Sequence, residues 1–186
     1  MTPMLNDDQR VQLLRIARQS IEAVFDGRRL ELDFGTLDDA LKRPSGAFVT
    51  LNERTGDLRG CIGSIEPVAA LAQAVSSSAV SAAFRDPRFF PVQKEELPGL
   101  HIEISVMSPI VPVENVGEIE VGRDGLIVSR GARAGLLLPQ VATEYEWDRD
   151  TFLRQTCIKA GLPGDSWRSP DCRIEKFSAE VFGEDE

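Results

Sequence analysis

Imidazole and thiol groups are scarce in this chain. Its 186 residues hold one histidine, His101, and three cysteines, Cys61, Cys157 and Cys172. The cysteines are odd in number and far apart, and none forms a Cys-x-x-Cys pair, so neither a disulfide framework nor a metal site is expected. Positive charge is also short. Lys and Arg number 21 against 30 Asp and Glu, for a formal net charge of -9. A nucleic-acid surface needs a basic stripe, and this balance argues against one. It argues in the same direction against an anionic membrane face. No apolar run is long enough to span a membrane. The opening residues, Met1 to Asp8, lack the basic and apolar regions of a signal peptide. The expected location is therefore the cytoplasm, where thiols stay reduced. No internal repeat or low-complexity segment is present.

The remaining composition is that of a globular protein, with 42% apolar and 27% charged residues. The length suits one domain over 1–186, with a candidate subdomain boundary near 109–117, where Pro109 and Pro112 open an irregular connection. Asn6 or Asp7 caps a first helix whose apolar stripe runs through Val11, Leu14, Ala17, Ile21 and Val24. Arg10, Arg15 and Arg18 read as its solvated face. A short helix over Leu37–Lys42 has Thr36 and Asp39 as a capping pair. Two strands, Ala47–Leu51 and the stretch from Leu58, form a hairpin. A helix then begins at Pro67 and carries Val68, Leu71, Ala72, Val75 and Ala79. Leu100–Met107 alternates cleanly as a strand, with Leu100, Ile102, Ile104 and Val106 on one face and His101, Glu103 and Ser105 on the other. Beyond the connection, glycine-rich turns separate strands at Leu126–Ser129 and Gly135–Leu138. Two helices and a last strand over Cys172–Phe182 follow, then an acidic tail, Gly183–Glu186. Cys157 falls on the core side of its helix.

One stretch concentrates chemistry: Leu58-Arg59-Gly60-Cys61-Ile62-Gly63. In a strand, Arg59, Cys61 and Gly63 share a face. Cys61 is a candidate nucleophile, and a guanidinium near a thiol favours the thiolate. Arg59 could lower the thiol pKa or hold a substrate anion. Gly60 and Gly63 open space for a ligand and could aim backbone amides at an oxyanion. Glu103, if it lies across the sheet on the same face, is a candidate carboxylate partner to Arg59 or proton acceptor. Asp86 and Arg88, in the loop Phe84-Arg85-Asp86-Pro87-Arg88-Phe89-Phe90-Pro91, suit either a binding wall or a structural knot. A packing role for Cys61 and its glycines is the alternative.

These landmarks, with Gly135-Leu136-Leu137-Leu138-Pro139-Gln140-Val141-Ala142 and Cys157-Ile158-Lys159-Ala160-Gly161-Leu162-Pro163 before Trp167, resemble the AMMECR domain family, whose bacterial and archaeal members are called AmmeMemoRadiSam system protein A. The resemblance covers nearly the whole chain. It implies an α+β fold with a mixed sheet and flanking helices, a smaller strand-rich lobe, and a cleft between them. It implies association with a Memo-like protein and a radical S-adenosylmethionine protein, and no settled reaction or cofactor. Arg59, Cys61, Asp86 and Arg88 carry over as candidate site residues. Family members often have histidine where this chain has Asp124, and many have glycine where it has Glu146, which implies a changed loop there. The functional expectation is participation in small-molecule modification. A non-catalytic ligand-binding or scaffold role at the same residues is the alternative.

Overall fold

The computed structural model describes residues 5–184. Residues 1–4, and Asp185 and Glu186 of the acidic tail, lie outside the described residues, as do the readings made on them. The chain divides into two compact units. One comprises the described residues through Met107 together with those from Glu180 on, and the other is Ser108–Ala179.

In the first unit, α1 (Asp7–Phe25) begins with a capping box: Asn6 Oδ1 accepts from Gln9 N and Gln9 Oε1 accepts from Asn6 N, each at 2.9 Å. Gly27, at φ +69°, lets the chain turn away after the helix. The buried stripe is Leu13, Leu14, Ile16, Ala17 and Ile21, while Val11 and Val24 flank it and are exposed. Arg18 does not belong to a solvated face. It forks onto Glu184 (Nε–Oε1 2.7 Å) and donates to the carbonyls of Leu97 and Leu100. Glu184 is therefore a tethered residue and not part of a free tail; its Oε2 also accepts from Ile102 N. The short helix α2 (Asp39–Lys42) is capped by Asp38, whose carboxylate accepts from Ala40 N, and not by Thr36.

Strands β1 (Ala47–Asn52) and β2 (Leu58–Ser64) form the expected hairpin, and β3 (His101–Met107) pairs with the other side of β1, giving the order β2-β1-β3. Helix α3 (Leu71–Phe84) connects β2 towards β3 and packs on this sheet. It starts later than the proline suggested, and Val68 is outside it and 79% exposed. The reason is that the preceding backbone is already committed: Pro44 and Ala70 form a β-bridge, Ser45 N donates to Ala69 O, and Leu71 N donates to Arg43 O. The face of the sheet that α3 covers at β1 and β2, and α1 at β3, carries Val49, Leu51, Ile102 and Ile104, none of them exposed. Helix α1 lies against α3, where Ser20 Oγ bonds Ser76 Oγ at 2.8 Å and Ile16 O. Small serines and alanines on α3 permit this approach.

In the second unit, β4 (Val111–Pro112), β5 (Asp124–Arg130) and β6 (Arg133–Leu137) precede helices α4 (Pro139–Glu144) and α5 (Arg149–Lys159) and strand β7 (Arg173–Gly183), whose residues through Ala179 belong here. The pairing places β7 between β4 and β5, with β6 beyond β5. Leu126, Val128, Phe152, Leu153 and Cys157 fill the core with no exposure. Asp148 caps α5 by accepting from Thr151 N. A Cβ on Gly135 would stand 2.3 Å from Ala160 N, so glycine lets the end of α5 sit on β6.

The α+β class is as expected. Where a mixed sheet was expected, the pairings of β1 with β2 and β3, and of β7 and β6 with β5, are antiparallel, as is that of β4 with β7. Tight hairpins join β1 to β2 and β5 to β6, and such loops can produce only antiparallel neighbours. No described helix is long and apolar enough to cross a membrane.

Candidate functional site

The uncovered face of the β2-β1-β3 sheet gathers the polar residues. Thr50 on β1 stands opposite Cys61 on β2 and opposite Glu103 on β3, so the three form one row across the strands. Thr50 Oγ1 donates to Cys61 Sγ at 3.2 Å. This contact has a backbone cause. Cys61 turns its own N–H and C=O outward, off the sheet edge, so Thr50–Cys61 is a non-hydrogen-bonded pair, in which facing side chains come closest.

The outward groups of Cys61 are held by Asp86 and Arg88. Asp86 Oδ2 accepts from Cys61 N at 2.9 Å, and Arg88 Nη2 donates to Cys61 O at 3.3 Å. Arg88 is itself forked onto Asp86 (Nε–Oδ1 2.9 Å, Nη2–Oδ2 2.7 Å), and its backbone N–H donates to Asp86 Oδ1. The pair thus supplies one donor and one acceptor to the open edge of β2, as a neighbouring strand would. The Asp86 side chain is only 2% exposed, against 54% for Arg88. The Arg88 guanidinium, helped by the two backbone N–H groups, outweighs burial and holds the Asp86 carboxyl well below the usual carboxylate range. This is the structural knot, and it is built around the backbone of Cys61.

Arg59 does not reach the thiol as its place two residues away suggested. The β1–β2 register shifts between Leu51 and Asn52, and this bulge leaves Arg59 without an opposite residue. Its guanidinium turns to Glu96, Nε–Oε1 3.0 Å and Nη2–Oε2 3.3 Å. Arg59, and then the N–H of Gln93, pull the Glu96 carboxyl below its ordinary value. Arg59 Nη1 is buried with no hydrogen-bond partner among the described residues.

Glu103 shares the face with Cys61 but stands two strands away, about 10 Å at the usual strand spacing. His101 lies next along that face, yet its Nε2 would be 2.6 Å from a Cβ on Gly183, which places the imidazole over the end of β7 and away from β1. Gly60 faces the other way: a Cβ there would meet Ala82 O at 2.2 Å. Its role is the close approach of α3 and not space for a ligand. A Cβ on Gly63 would come 2.3 Å from Ala47 O, so this glycine too serves close backbone packing.

Thr50 was missed in the sequence. The alternation of Phe48, Thr50 and Asn52 on β1 was a usable signal, but it needed the register to become a contact with Cys61. Glu96 was missed because nothing local ties it to Arg59. The remaining cysteines are free, with Cys157 buried and its thiol pushed up by that burial. No group of three or more His, Cys, Asp or Glu among the described residues stands where it could hold a metal ion.

The AMMECR1 family pattern matches residues 14–182 of this chain, which includes every residue of the row and of the clamp around it. The chain belongs to the AMMECR1 family. Similar members are a protein of Methanothermobacter thermautotrophicus, 47% identical over 98% of this chain and 97% of its own length, and Protein MK0488 of Methanopyrus kandleri, 48% identical over 94% and 87%. The crystal structure of the uncharacterized protein PH0010 from Pyrococcus horikoshii matches with a TM-score of 0.81 at 41% identity, covering 97% of this chain and 94% of that one.

The two positions at which the AMMECR1 resemblance led to histidine or glycine being expected have local explanations. Asp124 is buried on β5. Burial pushes its carboxyl up, but Arg123 (Nε–Oδ1 2.8 Å) and the N–H of Glu120 (2.9 Å) together prevail and leave it below the ordinary value. Glu146 sits at φ +53°, the only non-glycine at positive φ among the described residues. This is the left-handed backbone that suits glycine, held here by a glutamate at a strain of roughly 1–2 kcal/mol.

Proposed function

We propose that the protein takes part in the modification of a small molecule bound on the Cys61–Thr50–Glu103 face, acting with a Memo-like protein and a radical S-adenosylmethionine protein. The observation that carries this reading is the treatment of Cys61. Its backbone is fixed by the buried Asp86 carboxylate and the Arg88 guanidinium paired with it, while the residue itself is left half-buried with a hydroxyl donor to its sulfur, which is an unusual arrangement for a packing residue. The family resemblance supports the two partners.

A second reading, a binding protein without chemistry of its own, is favoured by a specific observation. The nearest carboxylate on the face is two strands from Sγ, Arg59 is engaged by Glu96, and the imidazole is turned away. Among the described residues, Cys61 Sγ therefore has no base at hydrogen-bond distance.

The test compares small metabolites in a wild-type strain, a Cys61→Ala strain and strains lacking either partner gene. Loss of one modified compound, with accumulation of its precursor, in all three is the expected result. Unchanged metabolites in the Cys61→Ala strain would overturn the modification reading and leave the binding one.

A further inference from the structure

We propose that the recess between α1 and α3 is a second small-molecule site, one that takes an oxyanion, as a phosphate ester or a carboxylate, between Arg29 and Arg85. The recess has a volume of about 350 Å³, within the range of ligand pockets. Three guanidinium groups border it, those of Arg28, Arg29 and Arg85. Arg28 is neutralised by Asp26 at 3.0 Å. Among the described residues, neither Arg29 nor Arg85 has a carboxylate within ion-pair distance. In a chain with an excess of acidic residues, two guanidiniums without a carboxylate at one recess are a local reversal of the charge balance. Serine hydroxyls of α3, at Ser77 and Ser81, add donors beside them, and Val24, Leu30 and Val80 supply an apolar wall. Planar forked donors with hydroxyls suit the oxygens of phosphate or carboxylate, and the wall suits an apolar body attached to them.

This site is separate from the Cys61 face. Helix α3 covers the opposite side of the sheet, where Gly60 meets Ala82. The two are nonetheless joined by the chain, because Arg85 follows α3 and immediately precedes Asp86, the residue that holds the Cys61 backbone.

The experiment titrates the ¹⁵N-labelled full chain with phenyl phosphate, benzoate and neutral benzyl alcohol, following amide shifts. Saturable shifts at Leu30, Ser77, Ser81 and Arg85 with one or both anions, and not with the alcohol, are expected. The anion that binds identifies the ligand class. The double variant Arg29→Gln/Arg85→Gln should lose about tenfold or more in affinity, while Arg15→Gln, on α1 but outside the recess, should bind as wild type. Both arginines are exposed, so folding should survive; if the double variant loses amide dispersion, the two single variants are titrated instead. Saturation by neither anion would overturn the proposal, as would unchanged affinity in the arginine variants, and would leave Arg85 as a cation placed against a helix C-terminus.

Discussion

The two faces of the β2-β1-β3 sheet are made by the same backbone and differ at every second residue. One carries Val49, Leu51, Ile102 and Ile104, fully buried, with α3 packed on β1 and β2 and α1 on β3. The other carries Thr50, Cys61 and Glu103, all half-exposed. On the first face the strand is read by volume, since even one added methyl has nowhere to go. On the second it is read by polarity, since hydroxyl, thiol and carboxylate remain available to a ligand. The comparison teaches that Gly60 and Cys61, adjacent in one motif, answer to different demands: one to the close packing of α3, the other to the polar face and the clamp at the sheet edge.

The sharpest way to break the covered face is Gly60→Ala. The new Cβ would stand 2.2 Å from Ala82 O, a backbone atom on a packed helix. We expect a loss of about 3 kcal/mol, measured by urea unfolding. A loss near zero would mean that α3 can move away from β2, and the covered face would not be set by volume.

Asp86→Ala tests the edge at which the two faces meet. It strands the N–H of Cys61 and frees Arg88, and should destabilise by about 2–3 kcal/mol at neutral pH. The pH dependence has a definite sign. The folded pKa of Asp86 is depressed, so its contribution is complete above the unfolded value near 4 and is lost as pH falls through the folded value. The gap between wild type and Asp86→Ala should therefore narrow below about pH 4. A gap independent of pH down to acid unfolding would remove the ionic account of the clamp.

Which of these features could be read from the sequence follows from their range. The alternation of Leu100–Met107 is a local pattern, and it placed Glu103 and His101 on the polar face correctly. The spacing of Leu14, Ala17 and Ile21 likewise marked the buried side of α1. The cap of α1 was legible as Asn6 or Asp7, and Asn6 fills it, because capping is decided within three residues. Register is not local. The bulge at Leu51/Asn52 redirects Arg59 from the thiol to Glu96, 37 residues away, and nothing in Leu58–Gly63 announces it. The late start of α3 has the same origin, since the bridge from Pro44 to Ala70 takes backbone that Pro67 and Val68 would otherwise have given to a helix. Asp86 and Arg88 show the intermediate case. Both the clamp and the binding wall were readable from the residue types, and only the geometry shows the bonds of the clamp.

On the open face, Thr50→Val removes the hydroxyl while keeping the shape. Its effect on stability should be about 1 kcal/mol or less. Its effect on Cys61 should be larger in kind: alkylation by iodoacetamide at fixed pH should change severalfold, because the hydroxyl is in direct contact with the sulfur that reacts. An unchanged rate would make the 3.2 Å contact a packing contact only, and the two faces would then differ less than their polarity suggests.

The smallest effect is expected from Arg59→Ala, and it is informative for that reason. A guanidinium two residues along the strand from a thiol should activate it if the two touch. Here both forks of the guanidinium are on Glu96, and the third nitrogen is buried without a partner among the described residues. Removing the side chain loses one ion pair, with Arg59 11% and Glu96 37% exposed, but also removes an unsatisfied buried donor. These oppose each other, so the stability change should stay within about 1 kcal/mol. Glu96 retains the N–H of Gln93 and enough exposure to be hydrated once its partner is gone. Cys61 alkylation should proceed at the wild-type rate across pH, since the donor on its sulfur is Thr50 and its backbone clamp is untouched. A clear slowing in Arg59→Ala would show that the guanidinium leaves Glu96 for the open face in solution. In that case Arg59 would belong beside Cys61 after all, and the division between a covered face and an open polar face would have to include a residue that moves between them.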